Sequence, residues 1–468
     1  MTLHTSADAP ITCAYWDEVV AEDGFLGLGR RRRCCTYAIY TDGTYYYSEN
    51  GTTGALAYGG PNNLPAGTVD GTNFRDVFQA TIDALDRGSI CIGEGVYEWD
   101  DDITIDDRKN IIGAGVDSTT LRRTTANKTI TILPGVAWTE GIYLTQMTLD
   151  GNDLDGTILD VQTGRRCSLQ YLRVANSNDT GIHLSDGWGI DMNRCYVDSN
   201  DIGVLSEVNG AVLTHCILRF NDTTNMRIIS EGTGNVLIGC VIEKANDAGA
   251  WNLEIQGGTK EEWADHKLIG CSFEDAPAGG GNIKIFNRSA NDITGVKITN
   301  NYISEDGTGI WIEEATDTKI LANHFRGVGT GVDIQASASD TVVAYNELDS
   351  TTEFADAGSG SMFRDNLGYN PVGNIANPFD AGNGLIEVSG AAATPAANTD
   401  YTVSGMDIKI SSTDSGNTDC AIMLKDPGGN NVLQAALSTI DHMYVPRGFQ
   451  LNWGAFTGAA PTVTVSFV

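Results

Sequence analysis

Charged side chains recur at one position of a repeated pattern and could act together in catalysis. Asp198, Arg219, Glu243 and Glu274 each stand three residues after the first residue of a short apolar run. Glycosidic hydrolysis uses two carboxyl groups, about 5 Å apart in retaining enzymes and roughly 6.5–9.5 Å apart in inverting ones. If the repeats stack, Glu243 and Glu274 lie one repeat apart, and Asp198 and Glu243 lie two apart with Arg219 between them. The alternative is a charged outer face without a catalytic role.

His183 is a second candidate for acid–base chemistry. It stands near Asp179 and Asp186, and a carboxylate beside a histidine can assist proton transfer. The alternative is a solvated surface histidine. A polysaccharide lyase would need a Lys or Arg base beside cations that neutralise an acidic sugar. Lysine is scarce in the repeats, which disfavours that reaction.

Four tryptophans indicate carbohydrate binding, because the faces of sugars stack on aromatic rings. They are Trp188, Trp251, Trp263 and Trp311, and they lie in the repeats or in loops inserted between repeats. Core filling is the alternative for these residues, above all for Trp251.

A basic run, Arg30, Arg31, Arg32 and Arg33, is followed by Cys34 and Cys35. Arginine pairs with carboxylates through two parallel hydrogen bonds, so the run is predicted to anchor the chain on another acidic protein. The alternative is pairing with acidic residues of the same chain or a sister chain. Because vicinal cysteines seldom bond to each other, a bond between chains is left open.

Metal and cofactor motifs are absent from the sequence. No P-loop, H-E-x-x-H, G-x-S-x-G or dinucleotide fingerprint occurs. Asp150, Asp153 and Asp155 could bind a surface cation, but a turn with side-chain-to-backbone hydrogen bonds explains them better. Ten cysteines form neither a C-x-x-C pair nor a zinc spacing, so most are predicted to be reduced and buried. We therefore predict no metal and no cofactor beyond surface cations.

The chain is strongly acidic. It has 42 Asp and 19 Glu against 10 Lys and 19 Arg, and its net charge is −32 over 468 residues. This charge argues against binding nucleic acid, whose phosphates require basic residues. The preference for Asp and the scarcity of Lys indicate adaptation to high salt, which screens self-repulsion. The sequence contains no apolar run of 18 residues, so no membrane-spanning helix is predicted.

These residues are organised by an internal repeat of 20–31 residues. The type of residue at its reference position drifts from apolar to thiol to amide, which argues against a metal site or a disulfide framework. Each repeat contains turns and two short alternating strands, which predicts stacked coils of a parallel β-helix rather than a leucine-rich repeat. The reference residues are Met147, Leu172, Cys195, Cys216, Cys240, Cys271, Asn301, Asn323, Asn346 and Asn366.

The coil geometry predicts two outward columns with neighbours about 4.8 Å apart. One contains the carboxylates described above. The other follows the second turn and contains His183, Leu205, Arg227, Glu254, Lys284, Trp311 and Asp333.

A helix is predicted upstream, within residues 71–99. Phe74, Val77, Phe78, Ile82 and Leu85 fall on one helical face, which would cover the open end of the first coil.

Three motifs resemble a known family. The sequences "RGSICIGEGVYEW", "NIIGAG" and "MTLDGN" are similar to the start of pectate-lyase-like right-handed β-helices. The sequence "FRDNLGYNPVGNIANPF" (363–379) resembles the junction after the last coil in viral tail-spike proteins. The resemblance implies an all-β fold: a single-stranded right-handed parallel β-helix with an N-terminal capping helix and a C-terminal β-sandwich-like domain.

Three domains are predicted: an attachment segment (1–68), the β-helix (69–368) and a C-terminal β domain (369–468). With the acidity, the resemblance implies a homotrimeric surface spike of a haloarchaeal virus, on the tail or a capsid vertex. Its partners would be other virion proteins and a host-surface glycan or glycoprotein. A polysaccharide-degrading enzyme on the same fold, and a purely structural virion protein such as a turret, are the alternatives.

Overall fold

The computed structural model describes residues 35–61 and 69–366, apart from residues 107, 134–138, 163, 186, 231–233, 259–264, 288–292, 306 and 365. In 369–468 it describes the backbone of eight strands. Arg30, Arg31, Arg32 and Arg33, Cys34, Asp186 and Trp263 lie outside the described residues. The chain divides into two compact units, 1–368 and 369–468, while the boundaries and roles predicted for the three domains stay predictions.

The first unit is a mostly β, single parallel solenoid of about 10 turns, as the repeat predicted. Its right-handed sense stays a prediction. The prediction of two strands per repeat was wrong, because most coils contribute three strands to three parallel ladders, named here sheets 1, 2 and 3. The third strand escaped notice because strands of three residues are too short to show alternation.

Sheet 1 begins each coil. Its strands are Tyr37–Thr41, Gly88–Ile92, Lys109–Ile112, the first part of Tyr143–Leu154 and of Ser168–Leu184, Asp191–Asn193, Val212–Thr214, Val236–Ile238, Lys267–Ile269, Lys297–Thr299, Lys319–Leu321, Val342–Ala344 and Met362–Arg364.

Sheets 2 and 3 follow in each coil, and several long strands pass from one to the other. Sheet 2 contains Gly95–Trp99, Thr119–Arg123, the middle of Tyr143–Leu154 and of Ser168–Leu184, the start of Tyr196–Ser206, Ile217–Arg219, Val241–Glu243, Ser272–Glu274, Tyr302–Ser304, and the start of His324–Ile334 and of Glu347–Asp356. Sheet 3 contains Ile103–Ile105, Ile130–Ile132, Leu159–Val161, the ends of the long strands, Thr224–Ser230, Trp251–Gly257, Gly281–Phe286 and Thr308–Ile312.

The corner between sheets 1 and 2 has a left-handed backbone in successive coils. A left-handed non-glycine residue costs roughly 1–2 kcal/mol, so such a corner favours Gly, Asn and Asp. Bulkier residues are nevertheless present, because ladder hydrogen bonds on both sides hold the backbone in place. The residues, with φ between 49° and 63°, are Gln146, Tyr171, Arg194, His215, Gly239, Gly270, Asn300, Ala322 and Tyr345.

The reference position of the repeat is a buried rung, as predicted. Cys195, Cys216 and Cys240 donate hydrogen bonds to backbone carbonyls of the preceding coil at 3.3–3.5 Å. Hydrogen bonding along the thiol column, together with burial, raises the pKa of Cys240 to about 12. Further along, Asn301 and Asn323 each donate to the next asparagine at 2.9 and 3.0 Å. Thiols and amides therefore serve the same packing role.

A second asparagine ladder, which sequence reasoning missed, runs through Asn200, Asn221, Asn225, Asn252 and Asn282 at the start of sheet 3. The side-chain amides of neighbouring members are 2.8–3.0 Å apart. Such a ladder satisfies buried backbone groups at corners that would otherwise lack partners.

Asn225→Leu is expected to lower the free energy of unfolding by at least about 2 kcal/mol. The change leaves the backbone N–H of Asn221 and the carbonyl of Glu243 without the partners that Asn225 supplies in the core, and each such group costs about 1–3 kcal/mol. Denaturant unfolding would measure the loss. Asn246→Leu is the control, because its bonds are exposed. Equal losses in both variants would contradict the role of the ladder.

The helix α1, Phe74–Asp83, covers the first coil, and the predicted apolar face is buried. It packs against the antiparallel strands β2 (Tyr46–Asn50) and β3 (Leu56–Gly59), and β2 also pairs with β1 (Tyr37–Thr41). Its N-terminus is capped by Asn73, whose Oδ1 accepts a hydrogen bond from the Arg75 amide at 2.9 Å.

A disulfide joins Cys35 to Cys91, 56 residues apart. The sequence left open a disulfide between chains at Cys35. The structure excludes it, because the partner of Cys35 lies in the same chain. The strand after Cys35 pairs in parallel with the strand that contains Cys91, which brings the two thiols together. The other described cysteines, Cys167 and the four of the thiol column, are free and buried, as predicted.

The second unit contains two four-stranded antiparallel sheets, and the β-sandwich-like domain expected there stays a prediction. One contains Ala392–Ala393, Val463–Phe467, Met406–Ser412 and His442–Val445, and the other contains Asp400–Thr402, Gln450–Trp453, Ala421–Lys425 and Asn431–Ala436. Among the described residues, no helix is long and apolar enough to cross a membrane.

Candidate functional site

One outward column of sheet 3 contains every member of the predicted second column, preceded by Asp160, and is called the sheet 3 row. Parallel pairing places its members on successive coils. The row consists of Asp160, His183, Leu205, Arg227, Glu254, Lys284, Trp311 and Asp333.

Trp251 stacks on Trp311, which is a member of this row. Their ring centroids are 5.9 Å apart and their planes differ by 23°. The rings belong to coils separated by the coil of Gly281. A Cβ atom at position 281 would lie 2.4 Å from Cζ3 of Trp251, so the indole lies across the glycine. The missing side chain of Gly281 therefore allows the two rings to meet.

Lys284, on the coil between those of Trp251 and Trp311, approaches both rings. Its Nζ is 4.6 Å from the ring centroids of Trp311 and Phe286, and 5.8 Å from that of Trp251. These distances are those of cation–π contacts. Within the described part of the chain, Lys284 has no ion-pair partner among the carboxylates. We call Trp251, Trp311, Lys284 and Phe286 the aromatic platform.

The platform has charged neighbours on both sides along the row. Glu254 accepts a hydrogen bond from Nε of Arg227 at 2.7 Å, so its carboxylate is already engaged. On the other side, burial raises the pKa of Asp333 above its ordinary value, against the effect of a hydrogen bond from Gln335. A polar ligand lying along the row would therefore meet hydrogen-bonding groups next to the rings.

His183 lies between the carboxylates of Asp160 and Glu207. Its Nε2 is 3.1 Å from Glu207, and its Nδ1 is 3.4 Å from Asp160 on the preceding coil. The prediction from sequence named Asp179 and Asp186 instead. Asp186 lies outside the described residues, and Asp160 and Glu207 were missed because residues on neighbouring coils come together only when the coils stack.

The predicted carboxylate column lies on sheet 2 in the predicted register: Asp198, Arg219, Glu243 and Glu274 occupy successive coils. Asp198 accepts two hydrogen bonds from Arg173 at 2.8 and 3.0 Å. Arg219 bonds Glu243 at 3.3 Å and also donates to the hydroxyl of Tyr196. Asp198 and Glu243 are therefore both bound by arginines. The catalytic role of this column stays a prediction.

A groove of about 310 Å³ opens on the earlier coils of sheet 2. Asp150 in its wall accepts hydrogen bonds from Asn176, Arg122 and the Asn152 amide. Burial opposes ionisation of Asp150, but these bonds outweigh it and lower the pKa of the carboxyl. Sequence reasoning found the Asx turn at Asp150 but missed the arginines. The groove is lined by Val116, Asp117, Thr120, Arg122, Thr148, Asp150, Arg173, Ala175 and Asn176.

The remaining predicted sites stand apart from the platform. Trp188 is 58% exposed and lies in a small separate sheet formed by Thr139–Glu140, Gly164–Arg165 and Gly187–Trp188. In the described part of the chain, no group of three or more His, Cys, Asp and Glu residues is arranged to hold a metal ion.

Solved structures with the same fold include carbohydrate-active and viral proteins. The A-modules of the Azotobacter vinelandii mannuronan C-5 epimerases AlgE6 and AlgE4 have TM-scores of 0.51 at 17% and 16% identity. Each covers 64% of this chain, with 93% and 94% of its own length covered. The Dettilon tailspike protein (gp208) has a TM-score of 0.50 at 10% identity, covering 87% of this chain and 94% of its own. At such identities the similarity shows the fold alone.

Sequence comparison adds a partial match. Residues 280–383 match the family described as periplasmic copper-binding protein (NosD). This match covers less than a quarter of the chain. No curated protein matches the sequence.

Proposed function

We propose that the protein is a surface spike of a haloarchaeal virus that binds a glycan of the host surface. The aromatic platform is the observation that carries the proposal. The chain acts as a homotrimer on the virion, and its N-terminal segment, with Arg30, Arg31, Arg32 and Arg33, attaches it to other virion proteins. Three weak sites in one trimer give avidity at a repetitive cell surface.

Two neighbouring indoles suit a sugar, because aromatic rings keep their shape on binding and pack against the apolar C–H faces of the pyranose ring. Lys284 supplies an ammonium group beside the rings that can donate to a substituent of the sugar. The carboxyl of Asp333 and the paired Arg227 and Glu254 extend this polar surface along the row.

Two further observations support the proposal. The fold is shared with a tailspike protein and with mannuronan epimerase modules, so solenoids of this kind occur in a tailspike and in enzymes named for a polysaccharide. A net charge of −32 suits molar salt, where the Debye length is about 3 Å and self-repulsion is screened.

Trp311→Ala is expected to weaken binding of a purified host-envelope polysaccharide at least about tenfold, which corresponds to about 1.4 kcal/mol of lost stacking. Surface plasmon resonance at molar salt would measure the dissociation constant. Trp188→Ala is the matched control, because it removes an exposed indole outside the platform. Equal effects of the two changes would refute the platform as the binding site.

Incubating the protein with the same polysaccharide separates binding from catalysis. New reducing ends or unsaturated products, measured over long incubation, would identify an enzyme. Glu243→Gln and Glu274→Gln should then abolish the product if the sheet 2 column is catalytic, while unchanged activity would contradict that assignment. If neither binding nor product is found, the structural virion protein remains as the explanation.

A further inference from the structure

The outward face of sheet 1 carries no carboxylate over seven consecutive coils. Its fourteen strand positions hold apolar, small polar and basic side chains only, and we call this surface the carboxylate-free face. The positions are Val212, Thr214, Val236, Ile238, Lys267, Ile269, Lys297, Thr299, Lys319, Leu321, Val342, Ala344, Met362 and Arg364, of which Ala344 alone is buried.

The composition of this face departs from that of the chain. The chain has 61 acidic and 29 basic residues, so fourteen outward positions would ordinarily include carboxylates. The strands of sheet 2 in these coils do include them, and they carry Glu243, Glu274, Glu347 and Asp349. Three of the ten lysines of the chain are concentrated on the carboxylate-free face.

These lysines do not make the face strongly cationic. Lys267 and Lys297 both bond Asp265 in the adjoining corner, Lys267 at 3.0 Å and Lys297 at 2.5 Å. Lys319 bonds Asp317 in the next corner at 3.2 Å. Most of the positive charge is therefore neutralised locally, which leaves an apolar surface close to neutral.

The shape of the face also suits a close approach. Ile238 at its edge is 38% exposed. Along the same edge, Gly239 and Gly270 form corners without side chains, and a Cβ atom at Gly270 would meet no atom within 4 Å. Six spacings of about 4.8 Å make the face about 29 Å long, and strands of three residues make it roughly 10 Å wide. The face is therefore a central strip of roughly 290 Å², and an interface of the standard ~800 Å² per partner would extend from it onto the flanking corners.

We infer that the carboxylate-free face is the surface through which copies of this chain associate, with three such faces turned toward a common threefold axis. The inference rests on the trimer in the proposed function and names its interface, but it does not depend on glycan binding. A closed ring of three copies buries the face of every copy and leaves no edge open for further growth.

Charge selects a second copy as the occupant. Two acidic chains repel each other wherever carboxylates face carboxylates, and like-charge juxtaposition disfavours contact. The carboxylate-free face lets them approach without that cost. An anionic partner such as nucleic acid would need unpaired basic residues, whereas Asp265 and Asp317 already bind these lysines.

Ile238→Glu tests the interface. The wild type is expected to sediment as a trimer at molar salt. The variant is expected to sediment as a monomer at the same concentration, with a dissociation constant raised at least a hundredfold, because three unpaired carboxylates would be buried near the axis. Val96→Glu is the matched control: Val96 is 45% exposed on a sheet 2 strand of the first coil and lies outside the face. Circular dichroism and thermal unfolding of both variants check that each chain folds.

A monomeric wild type, or an Ile238→Glu variant that sediments as the wild type does, would overturn the inference. Binding of a soluble single-site oligosaccharide is measured on the same samples. Because the aromatic platform lies within one chain, the monomeric variant should keep the wild-type dissociation constant for that ligand. Loss of glycan binding in every sample, with the sedimentation result intact, would refute the glycan proposal and leave the interface standing.

Discussion

Reduction of the Cys35–Cys91 disulfide is expected to lower the free energy of unfolding of the first coils by about 4 kcal/mol. The bond closes a loop of 56 residues that contains the β1–β3 strands and α1. In the chain-entropy description, a loop of this length restricts the unfolded state by about 4 kcal/mol at 25 °C. The effect is concentrated at the N-terminal end, because each coil of a solenoid contacts mainly its neighbours.

Denaturant unfolding with and without reductant, followed by hydrogen exchange in residues 35–112, would measure the loss. Cys91→Ser is the suitable variant, because Cys34 stands next to Cys35 and could replace it. The variant should match the reduced wild type and should not respond to reductant. A Cys91→Ser protein as stable as the oxidised wild type would show that the bond does not restrain the first coils.

Acidification from pH 7 to pH 4 is expected to cost about 3 kcal/mol through His266 alone. Burial lowers the pKa of this side chain from 6.5 to about 4, while the nearby Asp265 acts weakly in the opposite direction. The folded state therefore takes up the proton later than the unfolded state. Stability is complete above pH 6.5, falls as the pH drops toward 4, and loses nothing further from this group below that.

His266→Asn should remove most of this pH dependence. The Nδ1 of His266 accepts a hydrogen bond from the Asn235 amide, and an asparagine oxygen can accept it instead. Unfolding free energies at pH 7, 5.5 and 4, at constant molar salt, would be compared with those of His324→Asn. His324 is exposed on sheet 2, so its variant should follow the wild type. A wild-type slope in His266→Asn would assign the pH dependence to other groups.

Much of the solenoid could be predicted from spacing alone. A repeat that stacks in parallel places equivalent residues one strand apart, so aligning Cys195 with Cys216 also aligns Asp198 with Arg219. The apolar face of α1 followed from helical periodicity in the same way. The members of the sheet 3 row were likewise predicted, from His183 to Asp333.

The site required information that spacing does not contain. Spacing identifies which residues share a position in the coil, but not how far a side chain reaches across neighbouring coils. Trp251 meets Trp311 because Gly281 leaves room for the indole, and His183 meets Glu207 because a corner brings it close.

The disulfide could not be predicted from spacing either. Cys35 and Cys91 are far apart in the sequence and become adjacent only after the first strand pairs with the fourth. Sequence periodicity therefore determined the stack, the inward and outward sides and the capping helix, since these depend on local alternation and on the repeat length. The third sheet, the tolerance of bulky left-handed corners, the aromatic platform and the carboxylate-free face were decided by tertiary structure. They depend on contacts between residues 20 or more positions apart, whose distances are set only when the coils pack.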